Sequence, residues 1–216
     1  MDRTTLASYI DHTLLRPEAT LDEAITITHE AAELGAASVC LSPSLAIAVP
    51  HLLAITTVIG FPSGAHTPNT KALETGLLAP HVDEIDMVIN LGAVCAGDWT
   101  TLNEEIAAVR NTAPNKVLKV ILETAALTDD QIIRAGSIAI DNGVDFLKTS
   151  TGFHPSGGAS VHAVEILARL AAAAGRPVGV KASGGIRTTD SALVMISAGA
   201  TRLGCSATAA ILDGLN

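Results

Sequence analysis

The sequence predicts an α/β protein that forms a (β/α)8 barrel, with a single domain spanning residues 1–216. Strand-like runs alternate with helical patterns along the chain, there are eight such runs, and polar residues recur inside them. Strands that alternate with helices form right-handed βαβ units and a parallel sheet. Eight units in 216 residues fit a compact closed barrel.

The predicted strands are short runs rich in aliphatic and β-branched residues, as buried strands are. They cover residues 10–14, 38–42, 56–61, 84–90, 117–123, 144–150, 178–183 and 201–206. The alternative is a doubly wound open sheet, which is covered on both faces and favours strands that are apolar almost throughout. A barrel encloses a lumen that can hold a polar site at its carboxyl-terminal end, so the polar residues favour the barrel.

Patterns that mark the starts and ends of helices lie between the predicted strands. Three capping boxes, which satisfy free N–H groups at a helix start, predict helix N-termini. They are Thr20 with Glu23, Thr101 with Glu104, and Thr128 with Gln131. Glycines suited to the left-handed conformation predict helix ends. They are Gly35, Gly143, Gly175 and Gly199.

Composition argues against several classes of protein. The formal net charge of −9 disfavours nucleic acid as a partner. No apolar run reaches the length of a membrane span, and the N-terminal residues lack the basic-then-apolar pattern of a signal peptide. Cys40, Cys95 and Cys205 have neither zinc nor redox spacing, so we expect reduced thiols in a cytoplasmic protein.

Four charged residues interrupt the apolar runs of the fourth to the seventh predicted strands, one in each: Asp86, Lys119, Lys148 and Lys181. Side chains alternate along a strand, so one parity faces the lumen. If all four face inward, the excess positive charge keeps one lysine neutral and nucleophilic, which indicates an enzyme that forms an imine. The residues alone leave open which lysine attacks. The alternative is that each charge lies at a strand end and reaches solvent.

Two turns that contain glycine follow the last two predicted strands. Residues 183–190 and 204–207 each end a strand and open a helix, where backbone N–H groups bind phosphate. The loops after strands seven and eight are the usual phosphate site of this barrel, so we expect a phosphorylated substrate. Residues 152–160 form either a mobile lid or a plain long loop.

The seven histidines are dispersed and form no metal-binding motif. His12 ends the first predicted strand, and we expect it to organise the site. Cys40 faces either the lumen or the core. Four histidines are predicted to lie on the surface: His29, His51, His81 and His162.

Five segments together resemble the signature segments of the deoxyribose-phosphate aldolase family. They are IDHTLL at 10–15, EIDMVIN at 84–90, LKVILET at 118–124, KTSTGF at 148–153 and VKASGGIR at 180–187. The resemblance keeps the same order from residue 10 to about residue 210, which is nearly the whole chain. The last two segments in combination are highly specific.

The resemblance implies a class I aldolase on a (β/α)8 barrel that functions in deoxyribonucleoside catabolism. Such an enzyme reversibly cleaves 2-deoxy-D-ribose 5-phosphate to acetaldehyde and D-glyceraldehyde 3-phosphate. It also implies that Lys148 forms the Schiff base, that Lys181 perturbs the pKa of Lys148, and that Asp86 relays protons. No cofactor or metal is implied, because the iminium is the electron sink. The implied substrate-binding residues are Asp11, Cys40, Lys119, Thr151, Gly152, Gly184, Gly185, Arg187, Gly204 and Ser206.

The chain departs from the family pattern at two places. Ala207 follows Ser206 where members often have a second serine, so one hydroxyl donor is absent. Some longer members carry a C-terminal tail with a tyrosine that assists proton transfer, whereas Tyr9 is the one tyrosine of this sequence, so we expect water or another residue to serve. The expected partners are a small phosphorylated sugar, aldehydes and a second copy of the chain in a homodimer.

Three other functions stay open at this point. A transaldolase-like enzyme would share a lysine but not both specific segments. A metal-dependent lyase or isomerase would need clustered histidine and carboxylate ligands. A barrel that only binds a ligand would keep the phosphate turns without needing two lysines and Asp86 in the lumen.

Overall fold

Eight parallel strands close into one barrel in the computed structural model, which describes residues 1–215. Each strand pairs with the next along the chain, and the last pairs with the first. The predicted (β/α)8 fold is therefore confirmed, and Asn216 lies outside the described residues. The strands are β1 Ile10–Leu14, β2 Ser38–Leu41, β3 Ala54–Ile59, β4 Glu84–Val88, β5 Val117–Ile121, β6 Phe146–Lys148, β7 Gly179–Ser183 and β8 Arg202–Cys205.

Helices connect the strands and surround the barrel. They are α1 Arg3–Ala7, α2 Leu21–Leu34, α3 Pro43–Ala46, α4 Pro68–Leu78, α5 Leu91–Ala96, α6 Trp99–Thr112, α7 Asp129–Asp141, α8 Val161–Ala173, α9 Thr189–Ser197 and α10 Thr208–Asp213. Two short 3₁₀ turns cover Ala79–His81 and Thr124–Ala126. Within residues 1–215, none of the helices is long and apolar enough to cross a membrane.

Two of the three predicted capping boxes are confirmed. Thr20 and Glu23 cap each other at the start of α2, and Thr128 and Gln131 do the same for α7. In both, the threonine hydroxyl accepts from the third helical N–H and the acidic or amide side chain accepts from the threonine N–H. All four predicted helix-ending glycines adopt positive φ: Gly35, Gly143, Gly175 and Gly199.

The predicted capping box of Thr101 and Glu104 is wrong. Helix α6 begins earlier, at Trp99, and the N-cap residue is Asp98. The Asp98 carboxylate accepts from the Thr101 N–H at 3.0 Å and from the Thr101 hydroxyl at 2.6 Å. A carboxylate is a strong N-cap acceptor, so the helix start moves toward the N-terminus by about one turn relative to the predicted box.

The hydrophobic core lies between the barrel and the helices, and the lumen is mostly polar. In β4, Ile85 and Met87 belong to the outer core, while Glu84, Asp86 and Val88 alternate with them. The same alternation in β5 and β7 sends Val120 and Val180 outward and lysines inward. The closed barrel thus removes the lysine side chains from water while β4, β5 and β7 keep apolar residues on their outer faces.

Candidate active site

The four charged residues picked from the strands meet in the lumen. Asp86 lies at their centre: its Oδ1 is 2.8 Å from Lys119 Nζ, and its Oδ2 is 2.6 Å from Lys148 Nζ and 2.7 Å from Lys181 Nζ. All four side chains are buried. The prediction that they face inward together is confirmed, and the alternative of charges reaching solvent at strand ends is wrong.

Three further ionisable groups complete this cluster. Asp11 of β1 pairs with Lys181 through one oxygen and with Arg202 of β8 through the other, where the distance is 2.6 Å. Glu84, two residues before Asp86 in β4, lies 2.5 Å from Lys119 and 3.4 Å from Arg202. The sequence analysis missed Glu84 and Arg202, although strand parity placed Glu84 on the same face as Asp86.

The lumen cluster consists of four cationic side chains and three carboxylates, and one lysine has the least compensation. Lys148 faces Asp86 alone, whereas Lys181 faces Asp11 and Asp86, and Lys119 faces Asp11, Glu84 and Asp86. Burial lowers the pKa of Lys148, and the charge of Lys181 lowers it further against the attraction of Asp86. Lys148 is thus the amine from which a proton leaves most readily.

Lys181, Lys119 and Asp86 of the lumen cluster keep their charge. Burial opposes the ammonium form of Lys181 and of Lys119, but the carboxylates of Asp11 and Asp86 outweigh it and raise the pKa of both lysines. Burial likewise opposes ionisation of Asp86, yet the neighbouring lysines hold its pKa well below the usual range. Electrostatics therefore distinguish the three lysines, which the sequence alone could not do.

A cavity of about 290 Å³ opens over Lys148 at the carboxyl-terminal end of the barrel. Its walls come from the loops after β1, β6, β7 and β8, the end at which barrels of this type hold their sites. It is lined by Thr13, Leu14, Leu15, Arg16, Lys148, Thr151, Gly152, Phe153, Ser183, Gly184, Gly185, Ile186, Arg187, Gly204 and Ser206.

Most of the predicted substrate-binding residues lie in the wall of this cavity, and three do not. Those in the wall are Thr151, Gly152, Gly184, Gly185, Arg187, Gly204 and Ser206. Asp11 and Lys119 lie beneath it in the lumen cluster. Cys40 is fully buried, and burial raises the pKa of its thiol, with smaller influences from the charges of the lumen cluster. Its neighbours in β2, Val39 and Leu41, belong to the outer core, so by strand alternation Cys40 faces the lumen.

Close glycine packing anchors the loop after β6 to the loop after β7. The Ala159 N–H donates to the carbonyls of Ser183 and Gly184, at 3.0 and 3.1 Å. A Cβ on Gly158 would lie 2.2 Å from the Gly184 carbonyl oxygen. Residues 152–160 thus form a long loop attached at this point, and these contacts do not favour the mobile-lid alternative.

Glu123 has the one positive φ of any non-glycine residue within residues 1–215, at 57°. It follows the end of β5, and its buried carboxylate accepts from the Thr151 hydroxyl at 2.5 Å and from the Thr151 N–H at 3.3 Å. Such a backbone conformation costs about 1–3 kcal/mol and is retained where the surroundings require it. Here Glu123 fixes the Thr151–Gly152 turn at the cavity wall, a role that its place in a predicted strand concealed.

The expectation that His12 organises the site is wrong. Because Asp11 faces the lumen, the next residue faces outward, and His12 Nδ1 lies 2.7 Å from the Thr208 hydroxyl of α10. Its Nε2 lies 3.6 Å from Glu30 of α2. The four histidines predicted to lie on the surface are exposed, as expected: His29, His51, His81 and His162. In the described part of the chain, no three His, Cys, Asp or Glu side chains are arranged to hold a metal ion.

A parallel barrel that holds a buried lysine with a lowered pKa beneath a cavity at its carboxyl-terminal end has the arrangement expected of a Schiff-base-forming enzyme. Comparison with known proteins agrees with that class. The model of the DeoC/LacD family of aldolases matches residues 5–212, and the chain belongs to this family of lyases.

Relatives and solved structures resemble the chain over nearly all of its length. The deoxyribose-phosphate aldolases of Corynebacterium diphtheriae and Kocuria rhizophila are 55% and 52% identical, each over 99% of this chain and 98% of the relative. The tetrameric deoxyribose-phosphate aldolase of Aeropyrum pernix superposes with a TM-score of 0.90 at 31% identity, covering 98% of this chain and 91% of that one.

The charge of Lys181 can be tested through the pH dependence of the rate. A lysine with a lowered pKa is reactive above that pKa and becomes protonated as the pH falls through it. Replacing Lys181 by leucine removes a like charge beside Lys148, so the pKa of Lys148 rises. We expect the acidic limb of the kcat/KM profile to move to higher pH and the rate near neutrality to fall.

A buried lysine outside the lumen serves as the control for that measurement. Lys71 of α4 is fully buried and donates to Glu105 of α6 at 2.6 Å and to the Val88 carbonyl at 2.7 Å. Lys71→Met should lower the melting temperature, because Glu105 loses its partner, and leave the acidic limb in place. An acidic limb that does not move in Lys181→Leu would contradict the electrostatic role.

The contact that anchors the loop after β6 can be tested by adding one methyl group at Gly158. Gly158 lies outside the positive-φ region, so Gly158→Ala adds only a steric clash with the Gly184 carbonyl. We expect the loop after β7 to shift and KM for the phosphorylated substrate to rise between about tenfold and a hundredfold, as small displacements of binding groups cause. Gly76→Ala on the exposed face of α4 is the control and should leave KM unchanged. Equal KM values for Gly158→Ala and wild type would show that this contact does not set the loop position.

Proposed function

We propose that the chain reversibly cleaves 2-deoxy-D-ribose 5-phosphate to acetaldehyde and D-glyceraldehyde 3-phosphate, with Lys148 as the residue that forms the Schiff base. One observation carries the proposal: among the lysines of the lumen cluster, Lys148 alone combines a lowered pKa with a place in the cavity wall. Relatives that match nearly the whole chain are named deoxyribose-phosphate aldolases, which supports the same substrate.

The first step is attack of the neutral Lys148 amine on C1 of the open-chain sugar phosphate. The carbinolamine loses water and becomes an iminium, whose positive charge withdraws electrons from C2. The ammonium group of Lys181, which shares Asp86 Oδ2 with Lys148, opposes protonation of Lys148 and so keeps its amine available for attack.

The second step breaks the bond between C2 and C3. Asp86, 2.6 Å from Lys148 Nζ, takes the C3 hydroxyl proton, through water, as C3 becomes the aldehyde carbon of glyceraldehyde 3-phosphate. The electron pair of the broken bond enters the enamine that stays on Lys148. Protonation of C2 and hydrolysis of the imine then release acetaldehyde and restore the amine. Lys181, 2.7 Å from the same Asp86 oxygen, supplies a path for the returning proton.

The phosphate binds at the turns after β7 and β8. Gly184 and Gly185 adopt φ of 88° and 85°, a conformation that turns backbone N–H groups toward an anion and that side chains rarely allow. Gly152, Gly204 and Ser206 line the same cavity as these two glycines. Asp11 and Lys119, which lie beneath the cavity, act through Lys181 and Asp86 rather than through the substrate. Cys40 borders the lumen below the same region.

Covalent trapping tests the assignment of Lys148. Wild-type protein incubated with acetaldehyde and borohydride should carry one reduced adduct, on the peptide that contains Lys148. Lys148→Ala should give no adduct and no turnover, with an unchanged circular dichroism spectrum. An adduct on Lys181 or Lys119 in the wild type would overturn the assignment.

A second variant separates imine formation from proton transfer. Asp86→Asn keeps the size of the side chain but removes the base, and general-base catalysis typically contributes about 10²–10⁴-fold in rate. We expect this variant to be trapped by acetaldehyde and borohydride but to cleave deoxyribose 5-phosphate slowly. Full turnover by Asp86→Asn would reject the role of Asp86. If the wild type formed no acetaldehyde from deoxyribose 5-phosphate, the proposed reaction itself would be rejected.

We also propose that the chain is one domain, works in the cytoplasm with reduced cysteines, and forms a homodimer. Cys40, Cys95 and Cys205 are unpaired thiols in the described residues. Leu73 and Leu77 lie one turn apart on α4 and are each 67% exposed, which provides an apolar surface for a second copy.

Light scattering tests the proposed dimer. The wild type should show about twice the 22.0 kDa chain mass, and Leu73→Glu with Leu77→Glu should shift it to the monomer mass. Ile133→Glu, on the exposed face of α7, is the control and should leave the mass unchanged. A monomeric wild type would contradict the proposal.

A further inference from the structure

We propose that Arg16, in the loop after β1, is a second cation for the substrate phosphate and determines preference for phosphorylated over unphosphorylated sugars. The inference rests on the proposed function and adds a residue to its phosphate site. No signature segment includes Arg16, which follows the first of them by one residue.

The order of strands around the barrel places Arg16 beside the phosphate turns. Strand β8 lies between β7 and β1, with Ser183 opposite Gly204 on one side and Asp11 opposite Gly204 on the other. The loops after β7, β8 and β1 are therefore neighbours at the rim. The turn at Gly204 lies in the middle, with Arg187 on the β7 side and Arg16 on the β1 side, and both arginines line the cavity.

The Arg16 guanidinium is held in place by the start of α2. It donates through Nη2 to Glu23 Oε1, and its Nη1 lies 3.6 Å from Glu18. The second Glu23 oxygen accepts from the Thr20 N–H at 2.8 Å, which completes the capping box of the helix. Hydrogen bonds from Thr20 and from Arg16 lower the pKa of Glu23, so it stays a carboxylate.

This arrangement leaves donors for a ligand. Arg16 is 40% exposed, and a guanidinium has five N–H donors, of which Glu23 and Glu18 face one each. Its planar fork suits the oxygens of a phosphate monoester. Prior fixation by Glu23 reduces the conformational entropy lost on binding. Arg187, in contrast, is exposed and makes no hydrogen bond or ion pair to another residue of the described chain, so Arg16 is the better ordered of the two.

The test compares kinetics on two substrates. Arg16→Gln should raise KM for 2-deoxyribose 5-phosphate by roughly tenfold or more, the loss expected for a charged hydrogen bond, with kcat little changed. The kcat/KM for 2-deoxyribose, which lacks the phosphate, should stay within about twofold of wild type if the loop keeps its position. Arg16→Lys keeps the charge and should restore most of the preference.

A matched surface arginine controls for charge alone. Arg3 pairs with Asp213 at 2.7 Å and is outside the cavity wall. Arg3→Gln should therefore leave KM and kcat/KM unchanged for both substrates. If Arg16→Gln lowers kcat/KM equally for both substrates, Arg16 only supports the loop and the proposal is wrong. It is also wrong if neither substrate is affected.

Calorimetric titration with inorganic phosphate separates this proposal from the proposed reaction. Wild-type protein should bind phosphate more tightly than Arg16→Gln by a factor similar to the change in KM, and Arg3→Gln should match wild type. If the wild type produced no acetaldehyde, the proposed reaction would fail, yet this titration would still decide the role of Arg16. Equal phosphate affinity in wild type and Arg16→Gln would overturn the inference.

Discussion

The carboxylate of Asp86 is the interaction on which the rest of the site depends. Three lysine amino groups converge on it in the buried lumen, each within 2.8 Å. An isolated charge in such surroundings costs several kcal/mol, and it is compensated only when its partners are in place. Because the partners come from β5, β6 and β7, the carboxylate of β4 is satisfied only in the closed barrel. Barrel closure and assembly of the site are therefore the same event.

The charges of the lumen are graded along the barrel axis. At its amino-terminal end, Arg202 is matched by Asp11 and Glu84 and lies over the ring of Phe146, 5.4 Å from its centroid. Gly179 makes room for that ring, since a Cβ there would lie 2.2 Å from it. At the carboxyl-terminal end, Lys148 has the fewest carboxylates around it. The position at which an ammonium charge is least compensated is therefore the one where the cavity begins, which favours the neutral amine of Lys148 there.

Strand periodicity accounts for most of what the sequence could predict. The two-residue alternation placed Asp86, Lys119, Lys148 and Lys181 together and gave the eight strands nearly their observed bounds. The same rule applied to Asp11 would have turned His12 outward. His12 lies outside the site because its position in β1, next to Asp11, sets the direction of its side chain, whatever the chemistry of the imidazole.

Other features depend on contacts between segments that are distant in sequence. The close approach of Gly158 to Gly184 joins loops from different strands, and no local pattern in either loop encodes it. The positive φ of Glu123 occurs together with its hydrogen bonds from Thr151, which lies beyond the next strand. Glu84 and Arg202 begin their strands, where a charged residue ordinarily reaches solvent. Only the closed lumen makes them partners of Lys119 and Asp11.

The charged side chains of the lumen and the loops that line the cavity lie at successive positions along the barrel axis. Four of the six strands that contribute a charge to the lumen continue into loops that line the cavity: Asp11 leads to Arg16, Lys148 to Gly152, Lys181 to Gly184, and Arg202 to Ser206. The spacing along a strand thus sets the distance between the reactive amine and the phosphate turns, and the barrel register keeps it fixed. The lumen charges are mutually dependent, so changing one alters the pKa of the others. Arg16 and Arg187 in the loops lie outside this charge cluster, so substrate preference can change there while the amine stays reactive.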